Sequence, residues 1–151
     1  MKTGIDNKWD ERFSDMADLV ATWSKDPDSK VGAVIVSPSK RQFSMGYNGF
    51  ISGADDCYSM ETWQKLEQTV HAELNALLNV RGSVEAWTLY STKFPCIECA
   101  KALIQAGVGR VVSPWPEGGD SKWAESQRSA HCMMVDAGLT VVGYEEDGIP
   151  F

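Results

Sequence analysis

The stretch WTLYSTKFPCIECAKALIQAGVGRVVS, residues 87–113, decides the fold. Its first six residues, 87–92, are rich in aromatic and β-branched types and read as a strand. Pro95 opens a helix, because the N–H that proline lacks would have no partner in a first helical turn. The helix runs from Cys96 to Gln105, Gly107 closes it, and residues 110–113 form another strand. Working outward, residues 9–24 place Trp9, Phe13, Met16, Leu19, Val20 and Trp23 at helical spacing. The run VGAVIV at 31–36 is a buried strand, 42–47 is a second strand, and 48–56 is a loop containing glycine. Residues 70–80 read as a helix, 113–120 as a loop with prolines and glycines, 121–136 as a helix and 139–144 as a last strand. The order α-β-β-α-β-α-β-α-β points to an α/β layered fold with a partly parallel sheet, in one domain spanning 1–151.

Composition narrows the function. The chain is 43% apolar, enough for an ordinary core without disulfide staples. No apolar run approaches the ~20 residues of a membrane span, and the polar N-terminus lacks a signal-peptide core. A cytoplasmic protein without a membrane partner is expected. The net charge of −7 argues against a polynucleotide and for a small ligand met by a few placed cations. Of four cysteines, only Cys96 and Cys99 have ligand-like spacing; Cys57 and Cys132 read as free thiols. There are two histidines, His71 and His131, and His131 reads as a surface or helix-face residue.

Two clusters carry chemistry: His71-Ala72-Glu73 and Pro95-Cys96-Ile97-Glu98-Cys99. Each lies at the start of an expected helix. Together they match the zinc deaminase signature, H-x-E followed by P-C-x-x-C. Cys96 and Cys99 are three apart, so both sulfurs leave one helix face. The unpaired N–H groups of the helix start favour thiolates, the form that binds zinc. His71 supplies a third ligand, which leaves a fourth position for water, the layout of a catalytic site. Zinc lowers the pKa of such a water toward ~7. Glu73, two residues from His71, reaches that water without ligating. A structural zinc module with His131 or Cys132 as fourth ligand is the competing reading, and it leaves Glu73 without a role. Glu98 lies on another helix face and reads as solvated.

With those clusters, the stretches Ser24-Lys-Asp-Pro27, Val31 to Val36, Gly46-Tyr-Asn-Gly49, Val70 to Ala76 and Ile104 to Gly107 make the chain resemble the deoxycytidylate (dCMP) deaminases of the cytidine deaminase-like superfamily. The resemblance implies a three-layer α/β/α sandwich around a central five-stranded mixed sheet. It implies hydrolysis of dCMP to dUMP and ammonia, with Glu73 as proton shuttle and one Zn2+ per chain on His71, Cys96 and Cys99. By the same resemblance, Asn48 contacts the deoxyribose, Ser24 and Lys25 lie in the phosphate-binding loop, and the Ala72 backbone holds the pyrimidine. A homo-hexamer is implied, activated by dCTP with Mg2+ and inhibited by dTTP, with Gly46, Tyr47, Asn48 and Gly49 in the regulatory site. Two departures stand out. The insert that holds a second zinc in some relatives is here reduced to Ala54-Asp-Asp-Cys57, so no second zinc is expected. The base-stacking tyrosine after the fourth strand is missing; Trp115 or Trp123 either stands in for it or packs in the core. An editing deaminase acting on nucleic acid and a deaminase of free nucleosides share the same zinc chemistry and are the alternatives within the superfamily.

Overall fold

The computed structural model describes residues 2–56 and 61–146. Their elements run β1 (Lys2–Thr3), α1 (Lys8–Ala21), β2 (Gly32–Val36), β3 (Phe43–Tyr47), β4 (Gly49–Phe50), α2 (Thr62–Gln68), β5 (Thr69–Val70), α3 (Ala72–Leu78), β6 (Thr88–Ser91), α4 (Ile97–Ala106), β7 (Arg110–Pro114), α5 (Lys122–Asp136) and β8 (Thr140–Glu146). The main sheet has six strands in the order β1-β8-β7-β6-β2-β3. β6, β7 and β8 are parallel, and β2, β3 and β1 join antiparallel, which makes the sheet mixed as expected.

Side chains alternate across the sheet with the strand period of two. Val34, Val36, Tyr90 and Val112 pack under α1 with Ala17 and Val20. Ala33, Ile35, Leu89 and Val111 pack on the other side with Ala76 of α3, Leu103 of α4 and Met134 of α5. That gives the α/β/α layering. Two glycines set how closely the layers approach. A Cβ at Gly32 would lie 2.2 Å from the Ala17 carbonyl oxygen of α1, and one at Gly46 would lie 2.3 Å from the Ala76 nitrogen of α3. No side chain fits at either place, so glycine is what lets helix backbone meet strand backbone.

The sheet corrects the expected count of five strands by one. β1 pairs Lys2 and Thr3 with Glu146 and Glu145 at the edge. A two-residue polar strand has no period to read, and Lys2 is held there by an ion pair to Asp18 at 2.6 Å. The expected loop after residue 48 contains β4, which pairs with β5 as Gly49 with Val70 and Phe50 with Thr69. This clip takes Val70 out of the helix expected from residue 70; α3 starts at Ala72, with His71 as its N-cap. α2 was also unread, since Trp63 and Leu66 face solvent and leave no apolar stripe. Trp9 and Trp23 are part-exposed, and Phe13 packs on the α1-side core. Cys132 is a free, exposed thiol, and Cys57 lies outside the described residues. Among the described residues no helix is long and apolar enough to cross a membrane.

Candidate metal and catalytic site

The fold brings His71, at the head of α3, to Cys96 and Cys99, at the head of α4. Both His71 and Cys96 occupy N-cap positions in extended backbone, and neither side chain is used as a cap. Pro95 and the end of β6 deliver Cys96, and one helical turn later Cys99 faces the same way. His71 Nδ1 lies 3.3 Å from Cys99 Sγ and 3.4 Å from Cys96 Sγ. The three donor atoms lie within 4.8 Å of one another, and the two cysteines are buried. One imidazole and two sulfurs this close suit a soft dication such as Zn2+.

The electrostatics agree with that donor set. The Cys96 thiol is pushed down to about 4, chiefly by a hydrogen bond from the Cys99 thiol, with His71 adding to it. The same contact with Cys96, then burial, pushes the Cys99 thiol up. The hydrogen bond to Cys96 holds the His71 imidazole above its usual value against burial. A dication bound here would displace the protons of these donors.

Glu73, in the first turn of α3, is 5% exposed. Its Oε1 accepts a hydrogen bond from Ser91 Oγ at 2.9 Å, and its Oε2 lies 3.7 Å from Cys99 Sγ. Burial pushes its carboxyl above the usual carboxylate range, the condition for a group that both takes and returns protons. Glu98 is exposed and pairs with Lys101 at 2.8 Å.

His71, Ala72, Glu73 and Cys96 form one wall of a cleft of about 320 Å³. Asn48 lines it too. Its Oδ1 accepts from Val31 N at 2.9 Å and its Nδ2 donates to the Ser29 carbonyl at 2.8 Å. One N–H of the amide stays available to a ligand. Ser24 is buried and donates to the Asn48 carbonyl at 2.8 Å, which braces the loop from behind. Lys25 is exposed and pairs with Asp56 at 2.6 Å. Of the two tryptophans, Trp123 lines the cleft, edge-on to His71 with ring centroids 5.7 Å apart. Trp115 lies elsewhere: its ring covers Gly143 of β8 and contacts His131. The flat face of Gly143 accommodates that ring, so Trp115 is turned away from the cleft. His131 is a helix-face residue of α5, half-buried between contacts to Trp115 and Phe94. Gly46 is covered by α3, while Tyr47 is exposed beside Trp23 and Gly49 is half-buried at the start of β4.

The cleft also contains residues that the sequence did not single out, among them Ser29, Lys65 and Lys93. Lys65 is buried against Asp26 and Asp28. Lys93 had a readable signal, since it follows the carboxyl end of a parallel strand, where α/β sheets bind ligands. Lys65 had none, because only the packing of α2 brings it in.

A mixed α/β sheet that converges a histidine and a cysteine pair beside a buried carboxylate has the donor set of a zinc-binding protein with a carboxyl group at hand. The model of the cytidine and deoxycytidylate deaminase zinc-binding region matches residues 7–114, and the chain belongs to that family. It is 37% identical over 143 residues to human deoxycytidylate deaminase, covering 88% of this chain and 78% of that one. It is 39% identical over 137 residues to an uncharacterized deaminase in the luxG 3' region of Aliivibrio fischeri, covering 89% and 92%. The crystal structure of the dCMP deaminase of cyanophage S-TIM5 in complex with dCMP and dUMP superposes with a TM-score of 0.75 at 25% identity, over 92% of this chain and 98% of that one.

Proposed function

We propose that the chain hydrolyses dCMP to dUMP and ammonia. The observation that carries this reading is the buried Glu73 carboxylate beside the His71–Cys96–Cys99 donor set, inside a cleft large enough for a small nucleotide. The relatives named deoxycytidylate deaminase and the cyanophage enzyme bound to dCMP and dUMP support the choice of substrate. Zinc on the three ligands supplies a Lewis acid that makes hydroxide available near neutral pH. The chain's own residues do the rest. Glu73 takes a proton from the attacking water and gives it to the ring nitrogen N3, then takes the remaining proton from the new hydroxyl on C4 and gives it to the departing amine as the C4 carbonyl forms and the C–N bond breaks. Ser91 holds the other carboxylate oxygen in place. The Ala72 backbone and Asn48 position pyrimidine and sugar, and Trp123 takes the stacking place expected of an aromatic side chain. The test is ammonia release by the zinc-loaded protein from dCMP, cytidine, dCTP and a cytosine-containing oligonucleotide. dCMP should be turned over fastest; faster turnover of the oligonucleotide would replace this reading with an editing one.

The same reading includes regulation within a cytoplasmic homo-hexamer. dCTP with Mg2+ activates, and dTTP inhibits, from a site at Gly46, Tyr47, Asn48 and Gly49, of which Tyr47 is exposed. Two ligands that favour opposite states of one oligomer require a second site coupled to the first. The dependence of rate on dCMP should be sigmoidal and become hyperbolic with dCTP. Rates that ignore both triphosphates would remove this part.

A further inference from the structure

A mononucleotide carries a phosphate dianion into a protein whose net charge is −7 and whose cleft already holds Asp26, Asp28 and Glu73. Something in the cleft has to offset that repulsion, and most nearby cations are committed. Lys65 donates to Asp26 Oδ1 at 2.8 Å and Asp28 Oδ2 at 2.7 Å. Lys30 donates to the Ser24 carbonyl. Lys25 is exposed and pairs with Asp56.

Lys93 differs from all three. It lines the cleft, and its Nζ donates to Ser29 Oγ at 3.0 Å. Among the described residues no carboxylate lies within ion-pair distance of it. An ammonium has three donors, so two remain after Ser29. Ser29 accepts from Lys93 and keeps its own O–H to donate. The pair thus presents one positive charge and several N–H and O–H donors, the complement of a phosphate's oxygens. Position agrees with this. Lys93 precedes the ligand Cys96 by three residues, so the two Cα atoms lie within ~11 Å, comparable to the reach of one nucleotide from its base to its phosphate. Lys93 also borders the shallower depression beside Trp115, which places it at the rim, where the charged end of a ligand meets solvent.

We propose that Lys93, with Ser29, recognises the substrate's phosphomonoester and sets the preference for a nucleotide over a nucleoside. This inference rests on the deaminase reading above. It also reassigns the role expected of Ser24 and Lys25: the loop contributes through Ser29, while the Ser24 hydroxyl is committed to Asn48.

The experiment compares the zinc-loaded parent with Lys93→Gln, Lys93→Arg and Ser29→Ala, measuring kcat and KM for dCMP and deoxycytidine. Calorimetry measures binding of dUMP and deoxyuridine. Loss of one charge-assisted contact should lower the dCMP-to-deoxycytidine ratio of kcat/KM by about 10- to 100-fold in Lys93→Gln, mainly through KM. Ser29→Ala should lower it less, and Lys93→Arg should keep most of it. dUMP binding should weaken by a similar factor in Lys93→Gln, and deoxyuridine binding should not follow. A ratio that stays within about threefold of the parent, or equal losses on both substrates, overturns the assignment while leaving the deaminase reading intact. A parent that deaminates neither substrate overturns the deaminase reading instead, and the dUMP measurement then decides on Lys93 alone.

Discussion

Glu73 has one oxygen fixed by Ser91 and the other near Cys99, in a setting that burial has made unfavourable for charge. As an ordinary first-turn helix residue it would contribute only ~0.3–1 kcal/mol through the helix dipole. As a proton carrier it would supply at least about 10²-fold in rate, because positioned general acid–base groups typically give roughly 10²–10⁴. The two roles are therefore separable by measurement. Glu73→Ala and Glu73→Gln should keep zinc and near-normal dCMP affinity, and turnover should fall by at least about a hundredfold, or about 2.7 kcal/mol of barrier. Turnover within about threefold of the parent, with zinc intact, would return Glu73 to a helix role. The residues of this chemistry were legible because their spacing is local: His-x-Glu and Cys-x-x-Cys are each read within a single helical turn. Ser91 and Ser29 carry no local signal, since each meets its partner only across the folded chain. Trp115 and Trp123 looked equivalent in sequence, and the groove over Gly143 separates them.

Among the elements, those with a clear apolar period were legible and those without one were not. β2 is all apolar after its glycine because both faces are covered, and α1 shows its buried stripe. β1, β4 and β5 are two residues each, too short for alternation. A feature invisible to periodicity also fastens α1 to the sheet. Asp10 is buried and accepts from Arg110 Nη1 at 2.7 Å and Tyr90 Oη at 2.7 Å, with a second contact from Arg110 Nη2. Burial alone would raise the Asp10 carboxyl, but the bonds from Arg110 and Tyr90 outweigh it and hold the group below the usual value of 3.8. Asp10→Ala should destabilise the protein by about 3 kcal/mol, the low end for a broken buried pair, because Arg110 keeps part of its side chain in water. The sign of the pH effect follows from the depressed folded value. The stabilisation is fully present above pH 3.8 and is lost as pH falls through the folded pKa. In urea titrations, the stability gap between the parent and Asp10→Asn should stay constant from neutral pH to about 5 and narrow at more acidic pH. A gap independent of pH into that acidic range would show that the ion pair does not fasten α1.

At the scale of the whole molecule, the layering and mixed sheet followed from the order of elements, while the sixth strand depended on an edge pairing that only the folded chain provides. The metal site has a structural consequence at this scale. His71 and Cys99 are 28 residues apart, on two helices that share one face of the sheet, so a metal on them would join elements that otherwise meet through packing. A ligand that binds only the folded chain stabilises it by mass action, by about 4 kcal/mol at a thousand times its Kd. For a chain of this size each kcal/mol moves Tm by roughly 2–4 °C, so removing zinc should lower Tm by about 8–16 °C. Elemental analysis before chelation should find close to one equivalent per chain, and Cys99→Ser should lose most of it. Cys99→Ser should also melt near the chelated parent and respond little to added zinc, because one of its three protein ligands is gone. If the parent melts at the same temperature with its metal removed, the three side chains do not hold zinc in the folded protein. If Cys99→Ser retains full zinc, the metal is held elsewhere and the assignment of Cys99 fails.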